Sequence, residues 1–171
     1  GGLATLSMHV LFNGTIDLTP ALNGILGGLV SITGPCSVVS PAGAFCIGLI
    51  GGLIEFGSAK LLLKLKIDDP LEASPVHFFC GAWGVFAVGL FAIETDVAFN
   101  YGSAGHYGVF YGSSGDQLGV QCVGIIAIAA WTCGMSGIMF GVLKLLKVLR
   151  VSIEDEEAGL DLSHHGGSAY A

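Results

Sequence analysis

The chain has 171 residues, 53% of them hydrophobic and only 11% charged, and a mean hydropathy of +0.78. Such a balance excludes an ordinary soluble domain and points to a polytopic membrane protein. The net charge of −7 owes much to an acidic terminal tail, and no basic patch suggests a nucleic-acid partner.

Residues 1–12 are apolar but reach only about 18 Å as a helix, and they lack the charged start of a signal peptide. They read as the end of a helix that begins upstream. Asn13-Gly14 is a turn signal, and with Thr15 it also matches a glycosylation sequon. Thr19 and Pro20 then open a second helix as N-cap and first residue, running to about residue 34 and softened by Gly24, Gly27 and Gly28. Glycine-interrupted segments of this kind line transporter sites or simply allow close helix contact. Asn23, Ser31 and Thr33 are its candidates for interhelical hydrogen bonds. A third segment, 42–65, carries Gly48 and Gly52 at helical spacing and ends in Lys60, Lys64 and Lys66. Glu55 lies near its middle, where a carboxylate must pair, hold a proton or face water; a structural partner is expected.

The organising stretch is 68–93. Asp69 serves as N-cap, Pro70 takes the first helical position and Glu72 completes a capping box. No lysine or arginine follows up to Ile93, so the segment can cross a hydrocarbon core of about 30 Å. His77 stands about two turns in. Ala73, His77, Gly81 and Gly84 share one face at helical spacing, while Phe79, Trp83, Phe86 and Leu90 fill the opposite one. A small-residue face either admits a neighbouring helix or leaves a narrow passage, and a membrane-embedded ionisable residue favours the passage. The alternative for His77 is a hydrogen bond to another helix.

Residues 94–115, rich in glycine and tyrosine, read as a polar connection with a solvated His106. The last apolar segment, 118–150, is longer than a bilayer core needs, with Gly137 and Gly141 suggesting close packing. After it the chain turns acidic from Glu154 to Glu157 and ends in a Gly/Ser/His-rich sequence. His164 and His165 lack the further ligands of a metal site, and the scattered Cys36, Cys46, Cys80, Cys122 and Cys133 form neither a zinc motif nor a disulfide framework. No cofactor is expected. Nor is an enzyme, since nucleophile, acid and base are nowhere grouped. All six basic residues sit at the ends of the third and last segments, which by the positive-inside rule puts those ends and the tail in the cytosol. With four crossings Asn13 is cytosolic too, and its sequon idle.

Asp68-Asp69-Pro70, followed by Pro75-Val76-His77 and Cys80-Gly81-x-x-Gly84, resembles the signature of the ammonium transporter family, Amt/Mep, with the Rh proteins as relatives. Leu22-Asn23-Gly24 through Gly28-Leu29-Val30-Ser31-Ile32-Thr33 is similar to the family's short upstream helix. Gly159-Leu160-Asp161-x-Ser163-x-His165-Gly166-x-x-Ala169-Tyr170 is similar to its C-terminal tail.

The resemblance implies an all-α membrane protein. The chain corresponds to the C-terminal four transmembrane helices, plus the end of a preceding one, of an eleven-helix ammonium transporter fold. It implies a partial membrane domain over 1–150 and a cytosolic regulatory tail over 151–171. It further implies a homotrimer as full-length protein, a lipid bilayer as surroundings, and ammonium or ammonia as the transported species. His77 matches the second of a pair of pore histidines, with Ala73, Gly81 and Gly84 as adjacent pore wall. The partner histidine belongs to the missing N-terminal portion, so the chain is expected to be a fragment. Ser163 stands where plant members carry a phosphorylated threonine, and the eukaryote-like tail suggests the plasma membrane. Glu55 occupies a position usually uncharged in relatives. An ammonium sensor and a non-transporting membrane interaction protein are the alternatives.

Overall fold

A computed structural model describes residues 1–102 and 105–160. The backbone divides into two compact units, Gly1–Ile126 and a second one beginning at Ala127, and among the described residues all regular structure is helical. Helix α1 (Gly2–Asn13) stops where the sequence signals a turn: Gly14 is left-handed, with φ 73°, and donates its N–H to the Val10 carbonyl at 2.9 Å. Helix α2 (Leu18–Thr33) begins earlier than expected. Its N-cap is Asp17, whose carboxylate accepts from the Thr19 N–H at 3.1 Å, rather than Thr19 itself. Pro20 then lies third in the helix, where its missing N–H still costs nothing. Helix α3 (Pro41–Leu65) opens on Ser40, whose hydroxyl accepts from the Gly43 N–H, and closes at a left-handed Lys66. Its lysine-bearing end complements the negative end of the helix dipole.

The histidine helix starts later than the sequence suggests. Asp69 to Glu72 form a turn closed by the Glu72 N–H on the Asp69 carbonyl at 3.1 Å, and Glu72 has φ 55°. A π-helical stretch, Ser74–Phe79, follows and runs directly into α4 (Cys80–Phe91). The reason is Pro75. In a helix beginning at Pro70, residue 75 would have to donate to the carbonyl four residues back, which proline cannot do, and its ring would collide there. Starting near Ser74 puts Pro75 in the first turn, where the N–H is not needed.

The 94–115 connection is not simply a polar loop. It contains α5 (Glu94–Tyr101), with Glu94 and Asp96 at its positive end, and a short 3-10 turn, Val109–Tyr111. Val97 of α5 is buried with Val38 and Ala92. The Ile93 N–H reaches the Val38 carbonyl, Asn100 donates to the Ser37 carbonyl, and Phe110 meets Phe91 edge-on at 5.0 Å. One buried valine in an eight-residue helix leaves too short an apolar pattern to read. His106, as expected, is exposed. Helix α6 (Asp116–Leu145) ends before the basic cluster is complete, at a turn with Lys147 at φ 58°, and a short α7 (Ile153–Ala158) begins the tail.

Close packing in the first unit runs through glycines. A methyl group on Gly84 would stand 2.6 Å from the Ser31 carbonyl oxygen of α2, and one on Gly24 or Gly51 would collide with Thr5 or Ser31. With so little between them, backbones can be linked by small hydroxyls. Thr5 of α1 donates to the Gly52 carbonyl of α3 at 2.8 Å, and the Ser31 hydroxyl of α2 reaches the Cys80 carbonyl of α4 at 3.5 Å.

Candidate functional site

His77 lies in the π-helical stretch and is exposed, as is Ala73 one turn before it. The back of the same segment is anchored. Val76 and Cys80 are buried, the Cys80 thiol donates to the Gly51 carbonyl at 3.4 Å, and the Trp83 indole N–H donates to the Ile47 carbonyl at 3.0 Å. A π turn widens the spacing between successive hydrogen bonds and is frequent at functional positions. Here it carries a histidine between a fixed start and a fixed back.

The start is fixed by two carboxylates with different tasks. Asp69 accepts from the Ala73 and Ser74 N–H groups at 2.9 and 2.7 Å, one turn ahead of a helix whose N-cap position is Ala73 and not Asp69. The Ser74 N–H above all holds the Asp69 carboxyl below the ordinary aspartate range. Glu72 makes no capping box. Its side chain accepts from the Asn23 amide of α2 at 2.7 Å, a link across 49 residues, and Pro70 sits in the turn instead of at the first helical position. Sequence reasoning offered Asn23 as an interhelical donor without finding its acceptor. The signal for Glu72 was present only as a carboxylate close to a proline-started helix.

The small-residue face is not uniform. Ala73 and His77 are exposed and Gly81 is half-buried, with Val30 an ordinary contact distance away, 3.7 Å from where its Cβ would be. Gly84 is buried against the Ser31 backbone. It serves the contact between α2 and α4 and does not share the exposed face, because the Ser31 backbone of α2 lies against the helix at that height. Trp83 and Phe86 pair on the other side at 6.2 Å. Glu55 departs further from expectation: it is 1% exposed, and neither carboxylate oxygen has a hydrogen-bond partner among the described residues. Ser163, His164 and His165 lie outside the described residues.

Three helical stretches, Pro41–Leu65, Ser74–Phe91 and Asp116–Leu145, are long and apolar enough to cross a membrane, and Leu18–Thr33 is a shorter apolar helix. Of the four crossings read from the sequence, three are thus long enough to span a bilayer core and the first, Leu18–Thr33, is about 24 Å long. Together with the lipid-like composition they define a multi-pass helical membrane protein.

Comparison with known proteins narrows the class. The model of the Ammonium Transporter Family matches residues 1–170, and the chain belongs to that family. It is 45% identical over 170 residues to Ammonium transporter 1 member 1 of Arabidopsis thaliana, covering 98% of this chain and 34% of that one. It is 40% identical to Ammonium transporter 3 of Dictyostelium discoideum, covering 99% of this chain and 39% of the relative. Among solved structures, Saccharomyces cerevisiae Mep2 superposes with a TM-score of 0.83 at 29% identity, over all of this chain and 39% of its own. A protein described as Sensor Amt Protein gives 0.82 at 32% identity, over 95% of this chain and 38% of that one. The chain therefore spans between a third and two fifths of the length of these relatives.

Proposed function

We propose that this chain supplies the histidine-bearing C-terminal portion of a transporter that moves ammonium or ammonia across a membrane, with His77 as the conducting side chain. The observation that carries the reading is the placement of His77: exposed on a π turn whose other side is anchored by Cys80 and Trp83. Ala73 and Gly81 flank it as wall; Gly84 is left to packing.

The energetics favour a neutral passenger. Taking an ammonium ion out of water costs several kcal/mol even after relaxation, whereas removing its proton at neutral pH costs about 3–4 kcal/mol for an amine of pKa roughly 9 to 10. A neutral imidazole can accept a hydrogen bond from ammonia and can relay a proton, since histidine titrates near neutral pH. The partner histidine comes from a portion of the transporter outside this chain, and the working unit is a homotrimer in the plasma membrane. The basic ends of α3 and α6 and the acidic tail face the cytosol. Phosphorylation of Ser163 closes the pore by adding nearly two negative charges to a tail that is already acidic.

In the full-length transporter reconstituted in liposomes, His77→Ala is expected to lower ammonium flux at least tenfold while leaving trimer assembly unchanged. Undiminished flux overturns the conducting role. The likeness to Sensor Amt Protein supports a second reading, a sensor, for which a signalling output would survive in the flux-dead variant.

A further inference from the structure

Glu55 sits near the middle of α3 with both carboxyl oxygens sealed from solvent and without a hydrogen-bond partner among the described residues. A carboxyl group so placed must find a cation, reach water or hold a proton. Burial excludes water. Lys60, further along α3, does not serve as the cation, since it donates to the Asn13 side-chain oxygen at 3.0 Å and lies 5.5 Å over the Phe56 ring.

Beside Glu55 stand Thr5 of α1, Cys80 of α4 and Glu72 of the turn before the His77 stretch. None of the three brings it a hydrogen. Thr5 donates to the Gly52 carbonyl at 2.8 Å, the Cys80 thiol donates to the Gly51 carbonyl at 3.4 Å, and Glu72 is itself a carboxylate. An ionised Glu55 would thus face acceptors, whereas a carboxylic acid carries its own O–H and needs only one acceptor. Glu72 can supply it, because the Asn23 amide occupies Oε2 alone, at 2.7 Å.

Glu72 is also where such a bond acts on the candidate site. It has φ 55°, a left-handed conformation uncommon for a residue with a side chain, so its surroundings have to hold it there. Its carbonyl accepts from the N–H of Val76, the residue next to His77, at 3.1 Å. Asn23 grips its side chain from α2, and Glu55 approaches it from α3.

We infer that Glu55 is a carboxylic acid whose O–H donates to Glu72, and that this bond is a positioning contact for His77, clamping between α2 and α3 the turn from which the π-helical stretch starts. An O–H bond to a carboxylate is short and about twice as strong as a neutral one, which suits a turn held against its backbone preference. The positioning role rests on the transport reading above; the bond itself does not.

The test uses the purified full-length transporter, with infrared spectra at neutral pH and ammonium flux in liposomes from the same preparation. Ordinary carboxyl groups are ionised at that pH, so a protonated-carboxyl carbonyl band is expected from Glu55, lost in Glu55→Gln and shifted in Glu72→Ala. Flux should stay within about twofold of wild type in Glu55→Gln, whose amide still donates to Glu72, and fall about fivefold or more in Glu55→Leu, which is similar in size and has no donor. Glu72→Ala removes the acceptor from outside the spanning helix and should lower flux likewise, which decides the role even if Glu55→Leu does not fold. No protonated-carboxyl band, or one that survives Glu55→Gln, overturns the acid, and a band unmoved in Glu72→Ala overturns the bond. Equal flux in Glu55→Gln and Glu55→Leu overturns the positioning role, as does undiminished flux in Glu72→Ala. A wild-type protein without flux defeats the transport reading and this role with it, while the band still decides the bond.

Discussion

Gly24, Gly51 and Gly84 have no room for a methyl group, while Gly119 and Gly124 of α6 have nothing among the described residues within 4 Å of where one would stand. In the sequence the two sets look alike, both glycine-rich and both inside long apolar segments. The first set lets α1, α2, α3 and α4 come close enough for Thr5 and Ser31 to bond the backbone of another helix. The second belongs to a helix with no buried residue. A glycine in a membrane helix therefore permits an approach but does not show that one occurs, and the partner decides which.

Gly84→Val should break the comparison hardest on its crowded side. The added side chain meets the Ser31 backbone, which cannot swing away as a flexible side chain would, and overpacking of this kind costs about 1–3 kcal/mol. Thermal unfolding of the full-length protein in detergent should show a clear drop in midpoint. An unchanged midpoint would mean that α2 and α4 are less tightly joined than the geometry requires.

At the entrance to the same crowded region, Asp69→Ala should cost about 1 kcal/mol by removing the acceptor for the Ala73 and Ser74 N–H groups. The pH dependence follows from the lowered carboxyl pKa. The two bonds stabilise the fold fully above the ordinary aspartate range, and that contribution is lost as the pH falls through the lower, folded-state value. Wild type and variant should therefore converge in acid. If their midpoints stay equally far apart, the carboxylate is not the source of the difference.

On the open side the effects should be smaller. Gly124→Ala meets no atom of the described residues and gains helix propensity, so a stabilisation of at most about 1 kcal/mol is expected; a large loss would reveal a neighbour at this face. Smallest is Arg150→Ala, which removes an exposed ion pair with Glu156 at 2.6 Å. The Arg150 guanidinium holds the Glu156 carboxyl below its usual range, so the pair is present at neutral pH and fades as the pH falls through that lowered value. Salt should erase most of the difference between variant and wild type, because exposed pairs are readily screened.

Composition and residue order alone determined that this is a helical membrane protein, roughly where its long spans lie, and which family its motifs resemble. Those features are local: an apolar run, a turn signal such as Asn13-Gly14, or His77 after Pro75 is legible without knowing its neighbours. Pro75 even held the correct start of the histidine helix, had its missing N–H been weighed against that of Pro70. Tertiary structure decided the rest. It paired Glu72 with Asn23 across 49 residues, turned Gly84 into the α2 contact and left His77 outward. It also folded α5 onto Val38 and buried Glu55 with neither carboxylate oxygen hydrogen-bonded among the described residues. A side chain's periodicity states which face it occupies, but what that face meets depends on segments far away in the chain, and burial and partnership are properties of the meeting.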